Sequence, residues 1–210
     1  MLLWINGPFG GGKTQTAHEI RRRLPGSVIC DPEHAGFGLR RMFPPHLRGD
    51  FRELTAWRQG VAEVLDLVLS RHDGVVIVPM TVTDPGHFAE TVGRLREQGH
   101  DVRHFTLLAQ RETVLRRLRE RGFGHLLQYV AGKSPGPARE SWAVGQLDHC
   151  LRQLALPEFA EHLWTDHSTV PRTAERIAVL SGLTLRPSTE GALRTRLRQA
   201  GVGIRHIRFD

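Results

Sequence analysis

The apolar positions of this chain fall into short solid runs separated by longer stretches of helical spacing. Leu2–Asn6 is a compact apolar run that ends in a glycine-rich turn, the pattern of a strand buried on both faces. Lys13–Leu24 then carries Ala17, Ile20 and Leu24 at helical spacing among arginines, and Pro25-Gly26 stops it. Ser27–Cys30 reads as the next strand, closed by Asp31-Pro32. Phe51–Arg71 predicts a long helix through Leu54, Val61, Leu65 and Val68, and Asp73-Gly74 turns the chain into the β-branched run Val75–Val78. Pro85–Gln98 has proline at its start and Gly99 beyond its end, the asymmetry of a helix. Val102–Leu108 predicts a strand and Glu112–Arg121 a helix. After these come a helix over Ser141–Leu154, a short strand over His162–Thr165 and a helix over Pro171–Leu180.

Strand–helix alternation of this kind predicts an α/β fold, a parallel sheet with helices on both faces. Gly122–Pro137 interrupts the rhythm with glycine and proline. We read about 122–140 as a lid rather than a linker, because another α/β cycle follows. The expected organisation is one domain over 1–186 and a basic tail over 187–210.

Gly7-Pro8-Phe9-Gly10-Gly11-Gly12-Lys13-Thr14 matches G-x-x-x-x-G-K-[ST] between a strand and a helix. In such a P-loop, glycines let backbone N–H groups curl around phosphate oxygens. The helix N-terminus adds partial positive charge, the lysine reaches the β- and γ-phosphates, and the threonine hydroxyl serves Mg²⁺. The predicted nucleotide site is Gly7, Phe9, Gly10, Gly11, Gly12, Lys13, Thr14 and Gln15, with ATP and Mg²⁺ as cofactors and Thr14 as the metal residue. Asp31 should emerge at the carboxyl edge of the sheet, where a carboxylate can take a hydroxyl proton or simply start a turn. Arg117 and Arg121 share a helix face before the lid and suit a phosphoryl group in flight, with Arg139 a further lid candidate. No acid follows Val75–Val78, which runs into Pro79-Met80-Thr81, and this argues against a GTPase or motor ATPase.

Composition narrows the class further. The formal charge is +7, a balance that favours anionic partners without choosing one. The basic residues are spread over several elements without a nucleic-acid recognition motif, so a nucleic-acid-acting ATPase ranks low. Two distant cysteines read as buried thiols, and the histidines show no zinc spacing. With no signal-peptide pattern and no long apolar run, the expected location is the cytoplasm. The tail places Leu193 and Leu197 among Arg194, Arg196 and Arg198. That pattern fits peripheral contact with an anionic membrane, but the small apolar face favours docking on protein.

Several segments together resemble the bacterial tunicamycin-resistance ATP-binding proteins: Trp4-Ile5-Asn6-Gly7 through Thr14-Gln15-Thr16-Ala17, Asp31-Pro32-Glu33, Gly36-Phe37, Trp57-Arg58, Val78-Pro79-Met80-Thr81, His104-Phe105-Thr106-Leu107 and His206-Ile207-Arg208. The resemblance implies a nucleoside- and shikimate-kinase-like P-loop fold, ATP binding and protection against a nucleoside antibiotic. Its substrate would carry a uridine, sugar hydroxyls and a fatty acyl chain. A phosphotransferase would inactivate the drug by phosphorylating one hydroxyl; an ATP-binding protein could instead sequester it unmodified. Lys13, Asp31, Arg117 and Arg121 are the expected catalytic set. Between the second and third strands, Arg40 and Arg58 are candidates to hold polar groups of the substrate, and Phe37 and Trp57 to stack on its base, although Trp57 also suits core packing.

Overall fold

The computed structural model describes residues 1–120 and 137–188. Five parallel strands form one sheet in the order β2-β3-β1-β4-β5: β1 Leu2–Asn6, β2 Val28–Ile29, β3 Val76–Pro79, β4 Val102–Leu108 and β5 His162–Trp164. β1 lies at the centre, in register with Val76–Pro79 on one side and Val102–Thr106 on the other. Side chains alternate across the sheet, so each strand feeds two cores. Leu2, Trp4, Val76 and Val78 pack with Trp57, Leu65, Leu95 and Phe159 on one face. Leu3, Ile5, Ile77, Phe105 and Leu107 pack with Ala17, Ile20, Ala174 and Ile177 on the other. The α/β alternation read from the sequence is the architecture observed.

Helix α1 (Lys13–Arg23) and the last helix cover the second face. α1 ends in Arg21, Arg22 and Arg23, cations that complement its dipole. Buried Arg23 donates to Glu175 at 2.8 Å and to the carbonyl of Arg186 at 2.7 Å, tying α1 to that last helix and to the chain beyond it. Residues of the tail beyond 188 lie outside the described residues, as do residues 121–136, which include most of the expected lid.

Three elements depart from expectation. Glu33–Met42 forms a helix, α2, that its pattern conceals: Gly36 and Gly38 have low helix propensity. Gly36 is needed for packing, since a Cβ there would stand 2.3 Å from Phe51. The expected helix from Phe51 is a 3₁₀ turn, Phe51–Glu53, followed by α3 (Thr55–Arg71), because the Asp50 side chain caps the short turn first. The helix over 85–98 is continuous in path but holds a π-helical turn, Ala89–Gly93, between α4 (Pro85–Phe88) and α5 (Arg94–Glu97). α6 (Arg111–Glu120), α7 (Pro137–Leu154) and α8 (Val170–Leu180) complete the fold.

His104 on β4 is 5 % exposed, with its ring 4.6 Å from that of Phe88 and Nδ1 3.0 Å from the Ala160 carbonyl. Burial pushes its pKa down to about 4, although the Ala160 hydrogen bond opposes this. The folded state therefore keeps a neutral imidazole, while the unfolded chain protonates near the ordinary value of about 6.5. Stability should be unaffected by this group above that value and fall as pH drops from about 6.5 to 4, by up to about 3 kcal/mol. Urea midpoints measured across this range should fall more for the wild type than for His104→Gln. An equal fall in both would dismiss His104 as the source.

Candidate functional site

β1 ends on Asn6, whose side chain is fully buried. Its Oδ1 accepts the Gly7 N–H at 2.9 Å and the Val82 N–H at 3.0 Å, and its Nδ2 donates to the Val82 carbonyl at 2.8 Å. The Thr81 hydroxyl donates to the Gly7 carbonyl at 2.8 Å. These bonds join the start of the glycine loop to the chain leaving β3, so the loop is anchored to two neighbouring strands. Gly7, at φ 149°, lies against β4, and a Cβ there would stand 2.7 Å from the Leu107 carbonyl. Gly12 enters α1 at φ 94°, a left-handed conformation that glycine adopts without strain.

Within the loop, the Gly11 N–H donates to the Pro8 carbonyl at 2.9 Å. Lys13, 7 % exposed, donates from Nζ to the same carbonyl at 3.0 Å. Its ammonium also lies 5.6 Å from the centre of the Phe9 ring, which is 39 % exposed at the tip of the loop. Thr14 and Gln15 follow, half-buried, in the first turn of α1. The eight predicted nucleotide-site residues thus lie on one continuous loop and helix start.

Asp31 follows β2 at the carboxyl edge of the same sheet, with its side chain 6 % exposed. Its Oδ1 accepts the Glu33 N–H at 3.0 Å, so it starts the turn into α2 as well as standing at the edge. Phe37 and Arg40 are half-buried on α2. Trp57 and Arg58, expected to line the acceptor pocket, are both buried. Trp57 is 1 % exposed and its indole N–H donates to the Pro32 carbonyl at 3.0 Å, which props the Asp31 turn. Buried Arg58 donates to Glu90 at 2.6 Å, to the Arg52 carbonyl at 2.8 Å and to Thr55 at 3.2 Å. Both hold backbone carbonyls of neighbouring turns.

Arg117 reaches across to the end of β5, donating to the Thr165 hydroxyl at 2.9 Å and its carbonyl at 2.6 Å. Next to it, Asp166 accepts the Gln110 N–H at 2.9 Å. Burial nudges the Asp166 carboxyl up, but hydrogen bonds from Thr113 and Gln110 and the charge of Arg117 hold it below the usual range. Arg121 and the Arg139 side chain lie outside the described residues.

Asn6, Thr81 and Thr165 brace these residues, a role the sequence alone does not assign them. Only Asn6 carries a local signal, as the polar residue that closes a buried apolar run. Among the described residues no cluster of three or more histidines, cysteines or carboxylates could hold a metal, and no helix is long and apolar enough to cross a membrane.

The sheet order, the glycine loop after its central strand and the helices on both faces define a P-loop protein of the kinase type. The family model described as an AAA domain matches residues 2–125. A tunicamycin resistance protein from Deinococcus radiodurans is similar over 89 % of this chain and 99 % of its own, at 32 % identity and a TM-score of 0.70. Shikimate kinase from Bacteroides thetaiotaomicron shares the fold at 18 % identity and a TM-score of 0.55, over 87 % of this chain and 99 % of its own. The APS kinase of Mycobacterium tuberculosis, solved with AMPPNP and APS, shares it at 16 % identity and 0.53, over 86 % and 96 %. No curated protein sequence matches the chain. The chain belongs to the tunicamycin-resistance family of P-loop proteins with an AAA domain.

Removing the Asn6 carboxamide should strand the Gly7 N–H and both backbone groups of Val82 in a dry environment. Asn6→Ala is expected to cost about 3 kcal/mol in urea unfolding and to weaken nucleotide binding as well. A variant as stable as the wild type would show that the joint is dispensable.

Proposed function

We propose that this protein is an ATP-dependent phosphotransferase that phosphorylates a hydroxyl of a nucleoside antibiotic, tunicamycin, and so confers resistance. The observation that carries the reading is a complete P-loop on the central strand together with a nearly buried carboxylate, Asp31, at the carboxyl edge of the same sheet. Kinship with a tunicamycin resistance protein supports the choice of acceptor.

The residues present fit ATP and Mg²⁺. The loop offers backbone N–H groups, the positive end of α1, one buried ammonium and the Thr14 hydroxyl. Bound Mg²⁺ would supply neutralisation of phosphate charge. Lys13 exchanges the Pro8 carbonyl for β- and γ-phosphate oxygens, a stronger, charge-assisted hydrogen bond. Asp31, held by the Glu33 N–H and by the turn that Trp57 props, accepts the acceptor hydroxyl proton as that oxygen attacks the γ-phosphorus and the bond to the β,γ-bridging oxygen breaks, releasing ADP. Arg117, with Arg121 just before the lid, steadies the transferring group once it leaves Thr165. Phe37 and Arg40 face the acceptor. Past them, the end of α2 and the connection to α3 expose Met42, Phe43 and Leu47 at 79, 37 and 61 %, an apolar surface suited to an acyl chain.

A second reading is sequestration of the drug without chemistry. It is favoured by one observation, the commitment of the Arg117 guanidinium to Thr165 rather than to the loop.

Mass spectrometry of tunicamycin incubated with protein and MgATP should show a gain of one phosphoryl group, about 80 Da. Asp31→Asn keeps the turn-forming oxygen and removes the base. It should lower turnover about 10²- to 10⁴-fold while ATP still binds. Undiminished turnover would remove Asp31 from the mechanism, and an unchanged drug mass with both ligands bound would favour sequestration.

A further inference from the structure

We propose that Arg52 is a second phosphate-facing cation of this site, meeting the γ-phosphoryl of ATP from the acceptor side, across Phe9 from Lys13. The inference rests on the reading that the P-loop holds ATP.

Arg52 lies on the Phe51–Glu53 turn, far in sequence from the glycine loop, yet its guanidinium carbon comes within 5.9 Å of the Phe9 ring centre. The Lys13 ammonium is 5.6 Å from the same ring. Since Lys13 marks where β- and γ-phosphates sit, Arg52 approaches the same place from the segment that leads into α3. The Cys150 thiol reports the same neighbourhood. Burial raises it to about 11, while the charges of both Lys13 and Arg52 pull it down.

The placement is built rather than incidental. Asp50 Oδ1 accepts the Arg52 backbone N–H at 2.9 Å, which caps the turn, and also the Arg52 Nε at 2.9 Å. The Arg52 carbonyl is held by Arg58 at 2.8 Å, and Arg58 is itself anchored on Glu90 at 2.6 Å. Burial alone would raise the Asp50 carboxyl, but the hydrogen bond and charge of Arg52 keep it below the usual range. The guanidinium is therefore fixed on one edge. On its other edge, Nη1 faces the Thr81 carbonyl at 3.4 Å, too long for a strong bond. A phosphate oxygen between the loop and this turn is a far better acceptor for that N–H than a carbonyl at the limit of reach. A salt bridge serving only the turn would need no cation aimed at the P-loop tip, and exposed pairs of that kind contribute little.

The γ-phosphate is what distinguishes ATP from ADP, so the test is a ratio of affinities. Calorimetric titration of the full chain with MgATP and MgADP is compared for wild type, Arg52→Gln and Arg52→Lys. Arg52→Gln should weaken MgATP about tenfold and MgADP less than twofold, with Arg52→Lys between wild type and Gln. Unaltered MgADP binding also certifies that the variant is folded. Equal weakening of both nucleotides would make Arg52 a prop for the loop, and no weakening of either would make it a surface ion pair; both results overturn the proposal. Because no turnover is measured, the outcome is separable from the kinase reading. A protein that discriminates ATP through Arg52 but leaves the drug unmodified sinks only the kinase reading.

Discussion

The carboxamide of Asn6 makes three buried hydrogen bonds to Gly7 and Val82, and the site is assembled outward from that joint. A parallel sheet gathers the carboxyl ends of its strands along one edge, but it does not by itself fix how the chain leaves each strand. Asn6 fixes two exits at once, those of β1 and β3. Thr81 adds a bond to the Gly7 carbonyl, so the first residue of the loop is held through both its N–H and its C=O. Each bond contributes only about 1 kcal/mol net, but breaking one leaves a buried group unsatisfied at greater cost. A loop fixed at its root can keep its remaining N–H groups turned toward an anion without paying for that order again when the ligand arrives.

Several of the described arginines brace the fold. Arg23 ties α1 to Glu175 and to the chain at Arg186. Arg58 ties α3 to Glu90 and to the carbonyl of Arg52. Arg111 joins Asp148 across α6 and α7 at 2.9 Å. Arg23 and Arg58 are planar forks that each satisfy several acceptors at once, a task lysine performs poorly. Around Phe9, Lys13 and Arg52 both approach the ring.

Much of this was legible in the residues. β1, β3 and β4 are buried on both faces, so their apolar runs announce them, and the glycine loop is specific because its steric demands leave few other residues possible at Gly7 and Gly12. What was hidden depends on contacts distant in sequence. α2 escaped notice because Gly36, which weakens the helical pattern, is there to admit Phe51. Trp57 and Arg58 were visible as unusual residues, but their burial follows from the stripe of α3 that turns them under Pro32 and toward Glu90. The hold of Arg117 on Thr165 spans 48 residues, and nothing local to either end discloses it. Arg52 becomes notable only once Asp50 is seen to cap the turn beneath it.

The central claim is that the loop and Asp31 perform chemistry rather than hold a ligand. The most direct measurement is the ADP formed per protein molecule with tunicamycin in large excess and MgATP saturating. A phosphotransferase produces many equivalents of ADP, matched one for one by modified drug and dependent on its presence. Drug retained at no more than one equivalent per protein, with no drug-dependent ADP, would contradict the account and leave a binding protein in its place.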